Sequence, residues 1–305
     1  MSASNKNVYA SSASDVPVIS IGMPIFNAGG YLRKAVFSII EQTFRRWELI
    51  IIDDASTDGA LDSIRDLNDP RIRIVRGNEN RGLATRLNEA VALALGQYFA
   101  RMDQDDISHP DRLNSQIVYL EAYPEIDIVA SRCLLIDGEN RPSGILEFPA
   151  EHNEICKRPY SGILLPHPTW MGRTAWFRAN PYRSPGPFFC EDQELLLRVY
   201  QCSRFHVIPK ALLAYRVRGS IRLSKLIKTR VALGSLQCQH FMQRCELIFC
   251  FKSILITFCK ISYDILSRLF FFRCDAGLRA VPINSFSAKE EEDWISILSD
   301  NPPKP

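Results

Sequence analysis

The chain has 305 residues, 46% of them hydrophobic and 23% charged, with 15 Gly and 18 Pro, which excludes a collagen-like, low-complexity or wholly disordered polypeptide. Its net charge of +3 hides an uneven distribution: residues 1–197 carry 20 Lys/Arg against 26 Asp/Glu, residues 198–280 carry 15 against 3, and residues 281–305 carry 2 against 5. An acidic first part followed by a strongly basic segment points to two separate jobs.

Residues 1–16, rich in Ser, Ala and Asn, read as a flexible tail without the apolar run of a signal peptide. From residue 17 onward, short apolar runs alternate with amphipathic ones. Strands are expected at 18–23, 49–52, 72–75 and 98–102, and helices at 31–41, 61–67, 83–95 and 112–123. Continuous apolar strands separated by helices mean βαβ units and an α/β architecture, with a mostly parallel sheet covered on both faces, through about residue 220. No G-x-G and no G-K-[ST] occurs, so the dinucleotide fingerprint and the P-loop are both absent. The nine Cys include no C-x-x-C pair, which argues against a disulfide framework or a zinc ribbon and suits a reducing cytosol.

Ligands of such sheets sit at the carboxyl ends of the strands. The four strands are followed in turn by Pro24-Ile25-Phe26-Asn27, by Asp53-Asp54 with Ala55-Ser56-Thr57-Asp58-Gly59, by Asn78-Glu79-Asn80-Arg81-Gly82, and by Asp103-Gln104-Asp105-Asp106. Three carboxylates within four residues repel one another unless a cation neutralises them. Mg²⁺ or Mn²⁺ suits such a cluster, taking one or two carboxylates and filling its other positions with diphosphate oxygens. The alternative is a solvated acidic turn ahead of the helix after Pro110. A second acidic group, Glu191-Asp192-Gln193-Glu194, opens an apolar helical run. It reads either as dipole capping or as a carboxylate poised to take a proton from a hydroxyl.

In this order and spacing, these pieces, with His109-Pro110-Asp111-Arg112-Leu113, His167-Pro168-Thr169 and Tyr215-Arg216, resemble glycosyltransferase family 2, inverting enzymes of the GT-A fold, of the type that assembles bacterial cell-envelope polysaccharide. The resemblance covers about residues 17–224. It implies a Rossmann-like catalytic domain that moves a sugar from a nucleotide-diphosphate sugar, UDP by family default, to a hydroxyl of a glycan or lipid-linked acceptor. Pro24, Asn27, Asp53, Asp54, Arg86, Asp103 and Gln104 would line the donor site, and Asp105 and Asp106 would bind Mn²⁺ or Mg²⁺. Asp192 would be the general base, with His167, Glu191 and Arg218 on the acceptor side. Two departures from the family pattern fall near the acceptor or the phosphates: Arg218 stands where the family often has His, and Ser184 to Cys190 replaces a Gly-Gly-Tyr run. A nucleotidyltransferase, or a nucleotide-sugar binder without turnover, are the rival readings.

Residues 225–280 read as a basic, amphipathic helical extension, with apolar positions Leu247, Phe251, Ile254, Phe258, Ile261 and Ile265 and an opposite stripe of Ser253, Thr257, Lys260, Asp264 and Arg268. Such a helix packs on the catalytic sheet or lies on an anionic membrane surface, which would place the protein in the cytoplasm, peripheral on the inner face of the cell membrane. The basic charge carries no recognisable nucleic-acid module. Residues 281–305 read as a peripheral polar tail.

Overall fold

The computed structural model of the chain describes residues 16–186, 189–217, 222–271, 280–281 and 288–299. Among the described residues, ten strands form one curled sheet. Its first half is the expected parallel unit: β1 (Ile19–Ile25), β2 (Trp47–Asp53), β3 (Ile72–Arg76) and β4 (Tyr98–Arg101) lie in the order β4-β1-β2-β3. Every residue of β1 and β2 is buried, as the apolar runs require of strands covered on both faces. Alternate side chains go to alternate faces. Leu49 and Ile51 belong to the core shared with α1 (Leu32–Ile40) and α3 (Arg112–Ala122), whereas Ile50 and Ile52 belong to the one shared with α2 (Leu83–Leu93). Truncating one such side chain, for example Ile51→Ala, costs roughly 2–5 kcal/mol.

β1 runs two residues past its apolar stretch and includes Pro24. A proline is tolerated there because β4 pairs only as far as Gly22, leaving Pro24 registered against β2 alone. The helix expected over 61–67 is instead a 3-10 helix, Ala60–Ile64. It is entered through Gly59 at φ 72° and followed by Asn68-Asp69-Pro70, too short a run between turn residues to propagate an α-helix.

The second half of the sheet is mixed. β5 (Ile107–Ser108) pairs antiparallel with β9 (Phe205–Arg216), which runs parallel to β6 (Ile128–Ile136). β7 (Pro142–Leu146) flanks β6 on its other edge, and β8 (Met171–Arg173) lies antiparallel between β4 and β6. The short helices α4 (His152–Ile155) and α5 (Thr174–Ala179) precede α6 (Glu191–Val199), which packs Leu195, Leu196, Leu197 and Val199 into the same core as α2. The β5–β9 pairing draws the acidic loop after β4 up against Tyr215-Arg216.

Two long helices, α7 (Leu223–Gln243) and α8 (Leu247–Phe271), form a hairpin whose Phe241, Phe249 and Cys250 join that core. The amphipathic pattern of α8 is present, but its orientation is inverted. Ser253 and Asp264 are buried, and Asp264 pairs with Arg230 of α7 at 3.1 Å. Gly234 of α7 leaves room only for Thr257, and Lys260 donates to the Ser161 carbonyl at 2.8 Å. Leu247, Ile248, Phe251, Ile254, Leu255 and Phe258 are exposed, from 51% for Leu255 to 71% for Ile248. No helix among the described residues is long and apolar enough to cross a membrane. β10 (Ala280–Val281), at the boundary of the segment read as a polar tail, pairs with β7, and that segment contains α9 (Ala288–Ser299). Trp294 and Leu298 of α9 are buried against β5, β6 and β9, and the Trp294 indole donates to the Ala211 carbonyl.

Candidate active site

A cleft of about 200 Å³ opens at the carboxyl ends of β1, β2 and β4, and its walls include Pro24, Phe26, Asp54, Arg86, Asp103, Gln104 and Asp105. Six of these seven are residues that the sequence assigns to the donor or metal site; Phe26 is the addition. The cleft lies where an α/β sheet places its ligands.

Most polar residues on this side are held by other parts of the protein. Asp54 is buried, and its carboxylate accepts the Arg81 and Gly82 backbone N–H groups at 2.8 and 2.9 Å and Arg86 Nε at 2.7 Å. It thereby fixes the entry to α2, where Gly82 adopts φ 81°, a value a side chain resists. Arg86 is itself buried and also binds Glu89 and the Glu79 carbonyl. Its guanidinium fills the space beside Gly77, where a Cβ would lie 2.0 Å from Arg86 Nη2. Asp53 accepts the Ser56 N–H within the loop after β2, and Asn27, at φ 49°, bonds Ser56 and Thr57 and so ties the loop after β1 to it. The Gln104 amide exchanges hydrogen bonds with both backbone groups of Phe26 at 2.6 and 3.1 Å, joining that loop to the acidic loop after β4.

The acidic loop is pinned from two sides. Arg101, on β4, grips both carboxylate oxygens of Asp103 at 2.7 and 3.2 Å. Arg216, on β9, donates its backbone N–H to Asp106 at 2.9 Å and its Nε to the Asp105 carbonyl at 2.7 Å. Its remaining nitrogens reach the Asp137 carbonyl and Asn140, and its guanidinium stacks over the Tyr31 ring. Asp106 is buried, and its second carboxylate oxygen has no partner among the described residues. Burial, with Asp103 and Asp105 beside it, raises its pKa well above the ordinary carboxylate value. No three His, Cys, Asp or Glu side chains among the described residues are arranged to hold a metal ion. One or two carboxylates suffice for Mg²⁺ or Mn²⁺ when a diphosphate supplies further oxygens, so hard oxygen donors crowded around an orphaned carboxylate oxygen fit such a cation.

Beside the cleft, the start of α6 brings two more carboxylates into electrostatic range of Arg101. Glu191 and Asp192 occupy the first turn of that helix and are half-buried. Desolvation, reinforced by Asp192, pushes Glu191 up to about 7. Asp192 is also raised by desolvation, although hydrogen bonds from Gln193 and the charge of Arg101 work against the shift. Gln193 clasps both backbone groups of Ile163, locking a neighbouring loop onto α6. His167 is buried and bonds the Tyr182 hydroxyl at 2.8 Å; burial and Arg101 hold its pKa well below normal, so it is neutral. Tyr182 is tied to α2 by two bonds with Asn88. Arg218 lies outside the described residues. Trp170 is core, with its indole on the Leu165 carbonyl.

Sequence reasoning assigned no role to Arg101, Tyr182 or Gln193. Arg101 had a signal: in a strand, residues two apart share a face, so the residue two before Asp103 points toward it.

The family described as "Glycosyl transferase family 2" matches residues 20–180. An uncharacterized glycosyltransferase of Haemophilus influenzae is 32% identical over 221 residues, covering 67% of this chain and 67% of that protein. TuaG of Bacillus subtilis, a glycosyltransferase whose name places it provisionally in teichuronic acid biosynthesis, is 38% identical over 106 residues, covering 34% and 42%. Among solved structures, Staphylococcus aureus TarS residues 1–349 with UDP-GlcNAc superposes with a TM-score of 0.61 at 18% identity, over 92% of this chain and 79% of that one. The mannosyltransferase PcManGT of Pyrobaculum calidifontis, with GDP-Man and Mn²⁺, gives 0.56 at 15%, over 84% and 81%. By its sequence and its fold, the chain belongs to glycosyltransferase family 2 and is a glycosyltransferase of the GT-A fold.

Proposed function

We propose that the enzyme transfers a sugar from a nucleotide-diphosphate sugar, with a UDP-sugar favoured, to a hydroxyl of a glycan or lipid-linked acceptor, with inversion at the anomeric carbon. The observation that carries this reading is the convergence of Pro24, Asp54, Arg86, Asp103, Gln104 and Asp105 on one cleft, with Asp192 and Glu191 on α6 within electrostatic reach of its floor. In this reading Pro24 and Phe26 offer an apolar wall to the base, and Asp53, Asp54 and Asn27 hold the loops that shape that wall. Asp103 faces the ribose. Asp105, with Asp106 behind it, would hold Mn²⁺ or Mg²⁺, which would supply Lewis-acid stabilisation of the departing diphosphate. Asp192 accepts the acceptor hydroxyl's proton as the oxygen attacks the face opposite the leaving group. Its raised pKa strengthens it as a base while it is ionised. His167, being neutral and bonded to Tyr182, shapes the acceptor wall rather than carrying charge, and Glu191 lies beside the base.

The outward apolar face of α8, set in a segment with 15 basic and 3 acidic residues, supports docking to an anionic membrane surface, where a lipid-linked acceptor would be met. Residues 17–224 would then be the catalytic unit and the hairpin its anchor.

Thermal-shift screening of nucleotide-sugars with and without Mn²⁺ identifies the donor, because a ligand of the folded state raises Tm by mass action. NMR of the product then reads the anomeric configuration. Inversion with release of a nucleoside diphosphate is expected. Retention would remove the single-displacement mechanism, and release of pyrophosphate would indicate nucleotidyl transfer instead.

A further inference from the structure

We propose that Arg101 is a positioning residue of the transfer reaction, which fixes the Asp103 carboxylate for donor binding through a two-pronged grip made from beneath the cleft. The inference rests on the proposed donor site and names a residue that the site reading leaves without a role.

Arg101 is the last residue of β4, 3% exposed, and its carbonyl is held by Arg112 Nη2 at 2.6 Å. Arg112, itself buried, also grips the Pro168 carbonyl, so the strand end and the turn carrying His167 are braced together. From this fixed point the guanidinium reaches Asp103 with Nη1 and Nη2, leaving Nε buried and without an acceptor among the described residues. A buried N–H left unpaired is costly, and an arginine kept only for packing would be expected to satisfy all its donors. The one carboxylate it holds belongs to the cleft lining.

Asp103 would otherwise be mobile. It lies in a loop, its side chain is 25% exposed, and Asp105 and Asp106 follow within three residues. A fork-to-fork grip fixes both the torsion and the plane of a carboxylate, which a lysine ammonium cannot do. The charge of the same buried guanidinium also acts on Glu191 and Asp192 at the start of α6.

The test is calorimetric titration of UDP, GDP and dTDP with Mn²⁺ into the full chain, its Arg101→Met, Arg101→Lys and Asp103→Asn variants, and the Arg101→Met/Asp103→Asn double variant, with Tm recorded for each. For the nucleotide that binds the unmodified protein, Arg101→Met and Asp103→Asn should each weaken binding by about tenfold or more. The double variant should be no weaker than the worse single one, because both changes remove one interaction. Arg101→Lys should recover most of the Tm and little of the affinity. Binding within about twofold in Arg101→Lys, or effects that multiply in the double variant, would overturn the role. If Arg101→Met does not fold, Arg101→Lys alone decides. Failure of all three nucleotides on the unmodified protein would instead strike the donor-site reading.

Discussion

Two sets of carboxylates around the cleft are held in different ways. On the donor side, Asp53, Asp54 and Asp103 are each gripped by named N–H donors, three of them in the case of Asp54. On the α6 side, Glu191 and Asp192 sit at a helix start with few partners, and desolvation raises both. Hydrogen-bonded carboxylates are fixed in place, whereas desolvated ones are stronger proton acceptors. A donor that must be held in one pose and an acceptor that must lose a proton call for these two treatments.

The largest expected effect separates the walls. Asp192→Asn should lower kcat by about 10²–10⁴-fold, the range for a lost general base, while calorimetry shows unchanged nucleoside diphosphate affinity. A parallel loss of affinity would mean that the walls do not act independently. Next comes Asp54→Ala, which takes one carboxylate partner from Arg86 and leaves it Glu89 and the Glu79 carbonyl. Urea denaturation should show a loss of about 1.5–3 kcal/mol, the range for losing hydrogen bonds to a charged group. A loss below about 1 kcal/mol would mean that the grip on Asp54 is not what holds the donor wall.

The pH dependence of stability sharpens the contrast further. Glu191 has a folded-state pKa raised from 4.5 to about 7. Its contribution to stability is therefore fully present below about 4.5 and lost as pH rises through about 7. The span corresponds to at most about 3 kcal/mol by linkage. Denaturation midpoints of Glu191→Gln should lack this component; an unchanged pH profile would remove Glu191 from the desolvated wall. The smallest effect concerns α8. Phe258→Ser should reduce sedimentation with phosphatidylserine vesicles about tenfold or more, from roughly 1.5–3 kcal/mol for one buried Phe, and leave Tm nearly unchanged because the side chain already faces outward. Undiminished pelleting would detach the hairpin from the membrane reading.

The parallel half of the fold was legible because strands covered on both faces must be apolar throughout, as residues 49–52 are. The mixed half was harder to read. β9 interrupts its apolar run with exposed Pro209 and Lys210, and β6 is read correctly only once its three partners are known. In α8 the periodicity was visible but its direction was not. A stripe pattern shows that two faces differ, and only packing shows that the polar one, with Ser253 and Asp264, turns inward. Trp294 gave no pattern at all, being one aromatic residue in an acidic run. In the cleft, the acidic loop and Glu191-Asp192 were visible as local clusters. That Asp54 holds a loop rather than standing bare, and that Arg216 ties down Asp105 and Asp106, depends on contacts between residues 27 or more positions apart.

The central claim is that the loop after β4 binds a nucleoside diphosphate through a divalent cation. Titrating UDP into the full chain and into Asp105→Ala, each with Mn²⁺ and with EDTA, tests it most directly. The account expects Mn²⁺-dependent binding that Asp105→Ala weakens by at least about tenfold. UDP binding that is equally tight in EDTA, or untouched by Asp105→Ala, would contradict it.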